Sequence, residues 1–436
     1  MIAPTTAEDA PSGRVEAVLR ECPGCGLFQV EPTLLAGMTA HCERCGITLR
    51  RTRQHPLEHS LALALAAMIL LIVMCMSMLM TVRTSGIVHQ AGMFSGPAEL
   101  VRSGMSALAA VVVFVTVVAP LGKLIGTIYV LSRIREATPP RHLRRIFAWV
   151  ERLSTWSMVE VFVLGVFVAY VKLGDLVTIE MDAGVYALLA LTFVLVWADS
   201  ALDREAVWDA LGARHARDTS RAALLTGRVP PQAVGCETCT LVVVPQEHGG
   251  ACPRCGSALH ARKPDSIAWT WALVIAAAVA YLPANLYPVL TVMQLGAGQP
   301  STILGGVREL IKSGMYPLAA LVFFASIAVP MLKMVGLTAM LVSVQTGHTR
   351  WLRDRTRLYY IIHWIGRWSM IDIFMEALLG ALVQFGGVVT IEPGIGAVAF
   401  CAVVILTIFA AETFDPRIMW DAAEARTNSD RIPAEA

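Results

Sequence analysis

WSMVEVF at 156–162 returns as WSMIDIF at 368–374, with an acid, Glu160 and then Asp372, at the same place in two otherwise apolar stretches. Working outward at an offset of 210–212 residues, ELVRSGM at 99–105 matches ELIKSGM at 309–315, and APLGKLIG at 119–126 matches VPMLKMVG at 329–336. VTIE at 177–180 recurs at 389–392, and VWDA at 207–210 as MWDA at 419–422. The chain is a tandem duplication.

Of the 436 residues, 56% are hydrophobic and 16% charged, against roughly a quarter charged in an ordinary soluble domain. Runs long enough to cross a hydrocarbon core fall near 57–82, 105–132, 153–172 and 183–199, then near 267–290, 315–344, 368–385 and 394–412. Four spans per copy is an even number, so the repeats are parallel, related by an axis along the membrane normal. Arginines crowd the first segment, the loop at 133–152, the central linker and the loop at 350–367. Eight helices with both termini inside put all of these on the cytoplasmic face. The first 21 residues carry no apolar run of the kind a signal peptide needs. A net charge of +2 gives no reason to expect a nucleic-acid partner.

The expected fold is all-α and polytopic. It divides into 1–20, a disordered start; 21–55, a first zinc ribbon; 56–208, a first transmembrane unit; and 209–232, an exposed linker. A second ribbon at 233–262, a second transmembrane unit at 263–420 and a disordered tail at 421–436 follow. The short β-prone VTIE segments suggest a small periplasmic β-hairpin or sheet capping each unit.

Each copy opens on paired knuckles, Cys22 and Cys25 with Cys42 and Cys45, then Cys236 and Cys239 with Cys252 and Cys255. Four thiolates on two such turns suit tetrahedral zinc and leave no open position for catalysis. A rubredoxin-like iron site uses the same ligands, although Thr240 replaces the glycine that follows the other three knuckles. The remaining cysteines, Cys75 and Cys401, lie inside spans and read as core residues, and His89, Trp156 and Trp368 as interfacial or packing residues.

Lys123 and Lys333 occupy equivalent places in the second spans, each three residues after a proline, Pro120 or Pro330. Glu160 and Asp372 are equivalent in the third. Charge at membrane depth is costly and normally finds a partner or lines a wet cavity. Heights along the helices match, which predicts the pairs Lys123–Glu160 and Lys333–Asp372. Ser369, Asp372 and Glu376 share one helical face, with Ser326 on the preceding span as a possible contributor. In the first copy that face carries Ser157 and Glu160, but Leu164 stands where Glu376 would be. The pairs are either packing clamps or a protonation switch. The prolines either kink their helices or free a carbonyl for the nearby lysine.

Paired cytoplasmic ribbons, each leading a four-span unit with an intramembrane lysine and a WSM-acid segment, resemble the paraquat-inducible protein A family over residues 20–422. The resemblance implies tetraspanin-like or claudin-like units and an inner-membrane subunit of a lipid-trafficking system. Such a subunit would pass phospholipid between the inner membrane and a periplasmic MCE-domain tunnel leading toward the outer membrane, and its loss would impair the envelope. It also implies a polar network on Lys333, Ser369 and Asp372 and Zn2+ on the eight paired cysteines. No G-x-x-x-x-G-K-[ST] is present, so uphill transport would draw on a proton gradient or on energy from outside this chain. The expected protein is not an enzyme. Electron transfer through iron–thiolate sites, export of drugs or metabolites, and passive anchoring of the tunnel are the alternatives.

Overall fold

The computed structural model describes residues 18–31, 34–35, 37–53, 56–84, 87–134, 136, 140–174, 178–212, 229–230, 232–244, 250–294, 297–383 and 389–429. Among these, seven helices are long and apolar enough to cross a membrane. The first and fourth spans of each unit are unbroken: Pro56–Met76 and Ala183–Ala201, then Ser266–Leu286 and Ile395–Thr413.

The second spans, Ser106–Arg133 and Tyr316–Gln345, each contain one π turn, Phe114–Val118 or Phe324–Ala328. Pro120 or Pro330 follows as the second residue of the resumed α-helix. Proline has no N–H to donate and its ring crowds the preceding turn; widening that turn accommodates it without ending the helix. The Val115 carbonyl in the π turn accepts the N–H of Met158 at 3.4 Å. It therefore serves a backbone break in the third span and not a lysine.

The third spans are the interrupted ones. In unit 1, His142–Trp156 and Val159–Gly174 flank an extended Ser157. In unit 2, Leu352–Ile365 passes through a 3-10 turn, Gly366–Met370, into Ile371–Leu382. The expected eighth span at 368–385 is not among the seven; its α-helical part, Ile371–Leu382, has 12 residues. The structure also corrects the basic loops expected at 133–152 and 350–367. Residues 142–152 and 352–365 are amphipathic helices, with Leu143, Phe147 and Val150 buried on one face in the first. Arginines on the other face disguised the apolar stripe. Residues 421–429, assigned from sequence to a disordered tail, continue the helix Arg417–Ser429. Most of the expected linker, 213–228 and 231, lies outside the described residues, as do 1–17 and 430–436.

A three-stranded antiparallel sheet lies at one end of each unit, as the VTIE segments suggested. Met78–Thr84 pairs with both Ile87–Gly92 and Thr178–Met181, and Leu290–Gln294 with both Ala297–Ser301 and Val389–Pro393. One apolar core runs through both units, joining Leu71, Phe162 and Leu188 to Phe374, Phe400 and Val404. The units meet where Gly165 faces Phe374: an added Cβ at Gly165 would lie 2.8 Å from the Phe374 Cβ and 3.4 Å from the Met375 amide nitrogen.

The cysteine modules at the opposite end are crossed. The first, which precedes unit 1 in the chain, packs on unit 2, with its cysteines clustered among Leu337, Tyr359, Phe414 and Trp420. The second packs on unit 1, against Val130, Leu143, Phe147 and Trp208. The modules also meet each other through Leu19 and Val242. Arg20 reaches from the first module to the Thr240 hydroxyl of the second at 2.9 Å, and Glu21 accepts the Gly235 N–H at 2.7 Å.

Candidate functional site

The two cysteine quartets fit a tetrahedral metal. In each, the four Sγ atoms lie within 4.8 Å of one another and are buried. The closest pairs are Cys22–Cys45 at 3.4 Å, Cys25–Cys42 at 3.6 Å, Cys236–Cys255 at 3.5 Å and Cys239–Cys252 at 3.6 Å. Tetrahedral zinc with Zn–S bonds of about 2.3 Å needs S···S separations of about 3.8 Å. All four knuckles fold alike, the residue after the second cysteine donating its N–H to the carbonyl of the first at 2.8–2.9 Å. That residue has positive φ: Gly26, Gly46 and Gly256 at 72–77°, and Thr240 at 58°. A β-branched side chain is disfavoured there. Thr240 is held by its own hydroxyl, which donates to the Cys239 carbonyl at 2.7 Å and accepts from Arg20.

Around the modules lies a charged layer. Arg417 bonds Asp415 at 2.8 Å, Glu21 at 3.1 Å and Glu237 at 2.5 Å, and Arg262 bonds Glu21 at 3.1 Å and Asp421 at 2.6 Å. Burial pushes Glu205 up to about 7, with the Glu31 and Asp203 carboxylates adding to it and Arg20 and Arg50 opposing it. A cavity of about 720 Å³ lies between this layer and the spans, lined by Glu151, Trp156, Tyr359, His363 and Glu412 among others.

The intramembrane charges are paired differently from expectation. Lys123 does not meet Glu160; its Nζ lies 2.6 and 2.7 Å from the two carboxylate oxygens of Asp199 in the fourth span. Glu160 instead faces the other unit and takes Arg367 at 3.4 Å. Lys333, 1% exposed, turns to neutral acceptors in place of Asp372, donating to the Gly366 carbonyl at 3.2 Å and the Thr407 hydroxyl at 2.9 Å. Gly366 makes that approach possible, since a Cβ there would lie 2.9 Å from Lys333 Cε. Depth along the membrane normal is legible from sequence, but the azimuth of each helix decides which neighbour a lysine reaches.

Asp372 and Glu376 lie on Ile371–Leu382, in which Ile371 to Gly380 are all buried. Ser369 Oγ, Asp372 Oδ1 and Glu376 Oε2 are buried with no hydrogen-bond partner among the described residues. Ser326 lies beside Asp372, its hydroxyl donating to the Val322 carbonyl at 2.7 Å. Ser157 is buried at the unit 1 break. The cation nearest the two acids is Lys172, from the third span of unit 1. It shares with Asp372 and Glu376 a cavity of about 40 Å³, closed by Ser301 and Thr302 at the sheet and by Leu318 and Val322 of the second span. That volume admits about three water molecules and is far below the roughly 300–1,000 Å³ of a small-molecule pocket. Lys172 escaped the sequence reading because it stands at the end of its span, where a lysine ordinarily marks the membrane interface.

Duplicated helical units, each with a four-cysteine module, and a carboxylate cluster buried between them define a multi-pass membrane protein with an internal polar site. The family model for paraquat-inducible protein A matches residues 57–212 and again 267–424, and the chain belongs to that family. It is 33% identical over 408 residues to "Intermembrane transport protein PqiA" of Escherichia coli (strain K12), covering 92% of this chain and 95% of that one. It is 30% identical over 418 residues to "Lipophilic envelope-spanning tunnel protein A" of the same organism, covering 96% and 94%. A "Probable intermembrane transport protein" of Haemophilus influenzae is 27% identical over 407 residues, covering 92% and 94%. No solved structure matches.

Proposed function

We propose that this chain is the inner-membrane subunit of a lipid transport system, moving phospholipid or a similar lipid between that membrane and a periplasmic MCE-domain tunnel. The names of its relatives, which speak of intermembrane transport and an envelope-spanning tunnel, support the reading. In it the modules hold Zn2+ on the cytoplasmic side, and the sheets face the periplasm. The observation that carries a working site is the set of orphaned polar atoms on Ser369, Asp372 and Glu376. A buried acid without a partner costs stability, and a site that must change protonation while lipid moves gives it a use. Asp372 and Glu376 exchange protons through the small cavity, Lys172 and Lys333 bound the seam on either side, and Ser326 and Ser369 line it. Lys123, Ser157 and Glu160 form the simpler counterpart in unit 1.

The test is complementation of envelope lipid defects in a strain lacking this protein, by Asp372→Asn and Lys333→Ala separately, with membrane levels checked. Loss of function at normal levels is expected. Full function in both would remove the switch and leave a passive anchor for the tunnel. Zinc also predicts a colourless purified protein; red colour would move the modules to iron and electron transfer.

A further inference from the structure

A third cavity, of about 550 Å³, lies away from the seam, between the start of the helix His142–Trp156 and the knuckle of the second module at 252–256. Among the described residues Arg141, Arg144, Arg145 and Arg254 line it together with His142, and no carboxylate does. Arg254 is held by the Trp208 carbonyl at 3.0 Å and by Asp209 at 2.8 Å, and Arg144 by the Leu211 carbonyl at 2.8 Å. Most of the five donors on each guanidinium remain unused among the described residues. Arg141 and Arg145 are exposed and make no ion pair or hydrogen bond among the described residues.

A metal centre with four thiolates is anionic and attracts cations wherever it sits, so the duplicated module serves as an internal control. At the corresponding place on the first module, Arg353 stands for Arg141, Arg357 for Arg145 and Arg44 for Arg254. There Arg353 donates to the carbonyls of Arg44 and Glu43 at 2.6 and 3.2 Å and Arg44 pairs with Glu424, while Arg357 is exposed and, like Arg145, makes no ion pair or hydrogen bond among the described residues; the contrast lies at Arg141, whose counterpart is used by the protein. Thr356 stands where unit 1 has Arg144, so the place on unit 1 carries one more arginine than its counterpart.

The depth of the cavity points to the ligand. Trp149, 59% exposed, stands one turn inward from Arg145 on the same helix face, with Arg152 5.6 Å from its ring. Trp149 stands at the middle of His142–Trp156; exposed tryptophan is enriched at the membrane–water interface, and four residues of helix place Arg145 about 6 Å further out. That is the level of headgroup phosphates. We propose that this cavity binds the phosphate of an anionic glycerophospholipid from the leaflet on the arginine-rich side. The bound lipid is a fixed ligand at the joint between the second module and unit 1, separate from any cargo passing the seam in unit 2. The site does not depend on the transport reading.

The experiment uses the full chain, purified and offered phosphatidylglycerol, phosphatidylcholine, inorganic phosphate or glycerol phosphate, with retained lipid read by native mass spectrometry and metal content measured alongside. Phosphatidylglycerol should be retained over phosphatidylcholine, and Arg141→Gln with Arg145→Gln should weaken that retention about thirtyfold. Arg51→Gln with Arg53→Gln, outside the cavity, should leave it unchanged. If the double variant loses metal, Arg141→Gln alone decides, with about a fivefold loss expected and no loss overturning the site. Equal retention of the two lipids overturns the proposal, as does an equal effect of the outside pair, which would mean diffuse surface charge. Displacement of the lipid by inorganic phosphate or glycerol phosphate at comparable concentration would assign the cavity to a soluble phosphate and likewise overturn it.

Discussion

Crossed modules make a prediction that uncrossed ones do not. Replacing Cys22 and Cys25 by serine removes half the ligands of the first site, and a small metal-bound module of this kind unfolds without its metal. What is then uncovered is unit 2, although unit 1 follows the module in sequence. Unfolding of the module breaks the two Arg353 bonds to the Arg44 and Glu43 carbonyls, separates Glu21 from Arg417, which it meets at 3.1 Å, and removes Arg44 from its place 4.5 Å over the Trp420 ring. At about 1 kcal/mol for each hydrogen bond and about 0.5 kcal/mol for the cation–π interaction, about 3.5 kcal/mol of local protection disappears. That corresponds to roughly a few hundredfold faster amide exchange. Hydrogen exchange with mass spectrometry, on protein whose metal content has fallen by half, should show the rise in 352–363 and 417–424. Residues 142–150, under the second module, should change little. A rise confined to 142–150, or equal in both places, would refute the crossed arrangement.

Two further outcomes follow from close approaches elsewhere. Gly165→Ala forces a Cβ to within 2.8 Å of Phe374 Cβ and 3.4 Å of a backbone nitrogen, so it should cost about 1–3 kcal/mol and lower the thermal midpoint; an unchanged midpoint would mean that the units do not touch there. Asp415, 1% exposed, is pushed up by burial but pulled down further by Arg417 and by the N–H groups of Lys263 and Arg417, to a net value below the ordinary 3.8. A depressed carboxyl contributes stability above its unfolded value and loses it as pH falls through the folded one. Asp415→Asn should therefore cost about 3 kcal/mol at neutral pH, and thermal melts should show the gap to the parent protein closing in strong acid; a gap independent of pH would remove the charge from the argument.

The duplication and the two cysteine quartets were legible because each depends only on spacing along the chain. The partners of Lys123 and Lys333 were not. Height matched Lys123 to Glu160, yet Asp199, at the end of the span expected at 183–199, lies beside it instead. The broken third spans were hidden for a related reason. Arginines on the outer face of 142–152 lowered its apparent hydropathy, while Leu143, Phe147 and Val150 kept the helix packed on the body. Crossing of the modules leaves no trace in sequence, since either docking follows from the same short connections at 52–56 and 262–266.

The two copies began alike and have been pulled apart at one helix. In unit 1, Val159–Gly174 keeps its acid, Glu160, one-third exposed and paired with Arg367, and has Leu164 where an acid would otherwise face inward. In unit 2, Ile371–Leu382 is surrounded: unit 1 covers one side through Gly165 and Phe162, and Gly96 presses on the Ala377 carbonyl. A helix in that position would be more stable with leucine at 372 and 376, because burying two acids without a full set of hydrogen bonds carries a desolvation cost that packing does not offset. Among the described residues the cation beside them, Lys172, comes from the other unit. Any change in how the units sit against each other therefore changes the charge balance of the seam, and any change in its protonation pushes back on the same interface. In the proposed reading, a seam that titrates would couple proton occupancy to the relation between the two halves, which a clamp confined to one unit would not do.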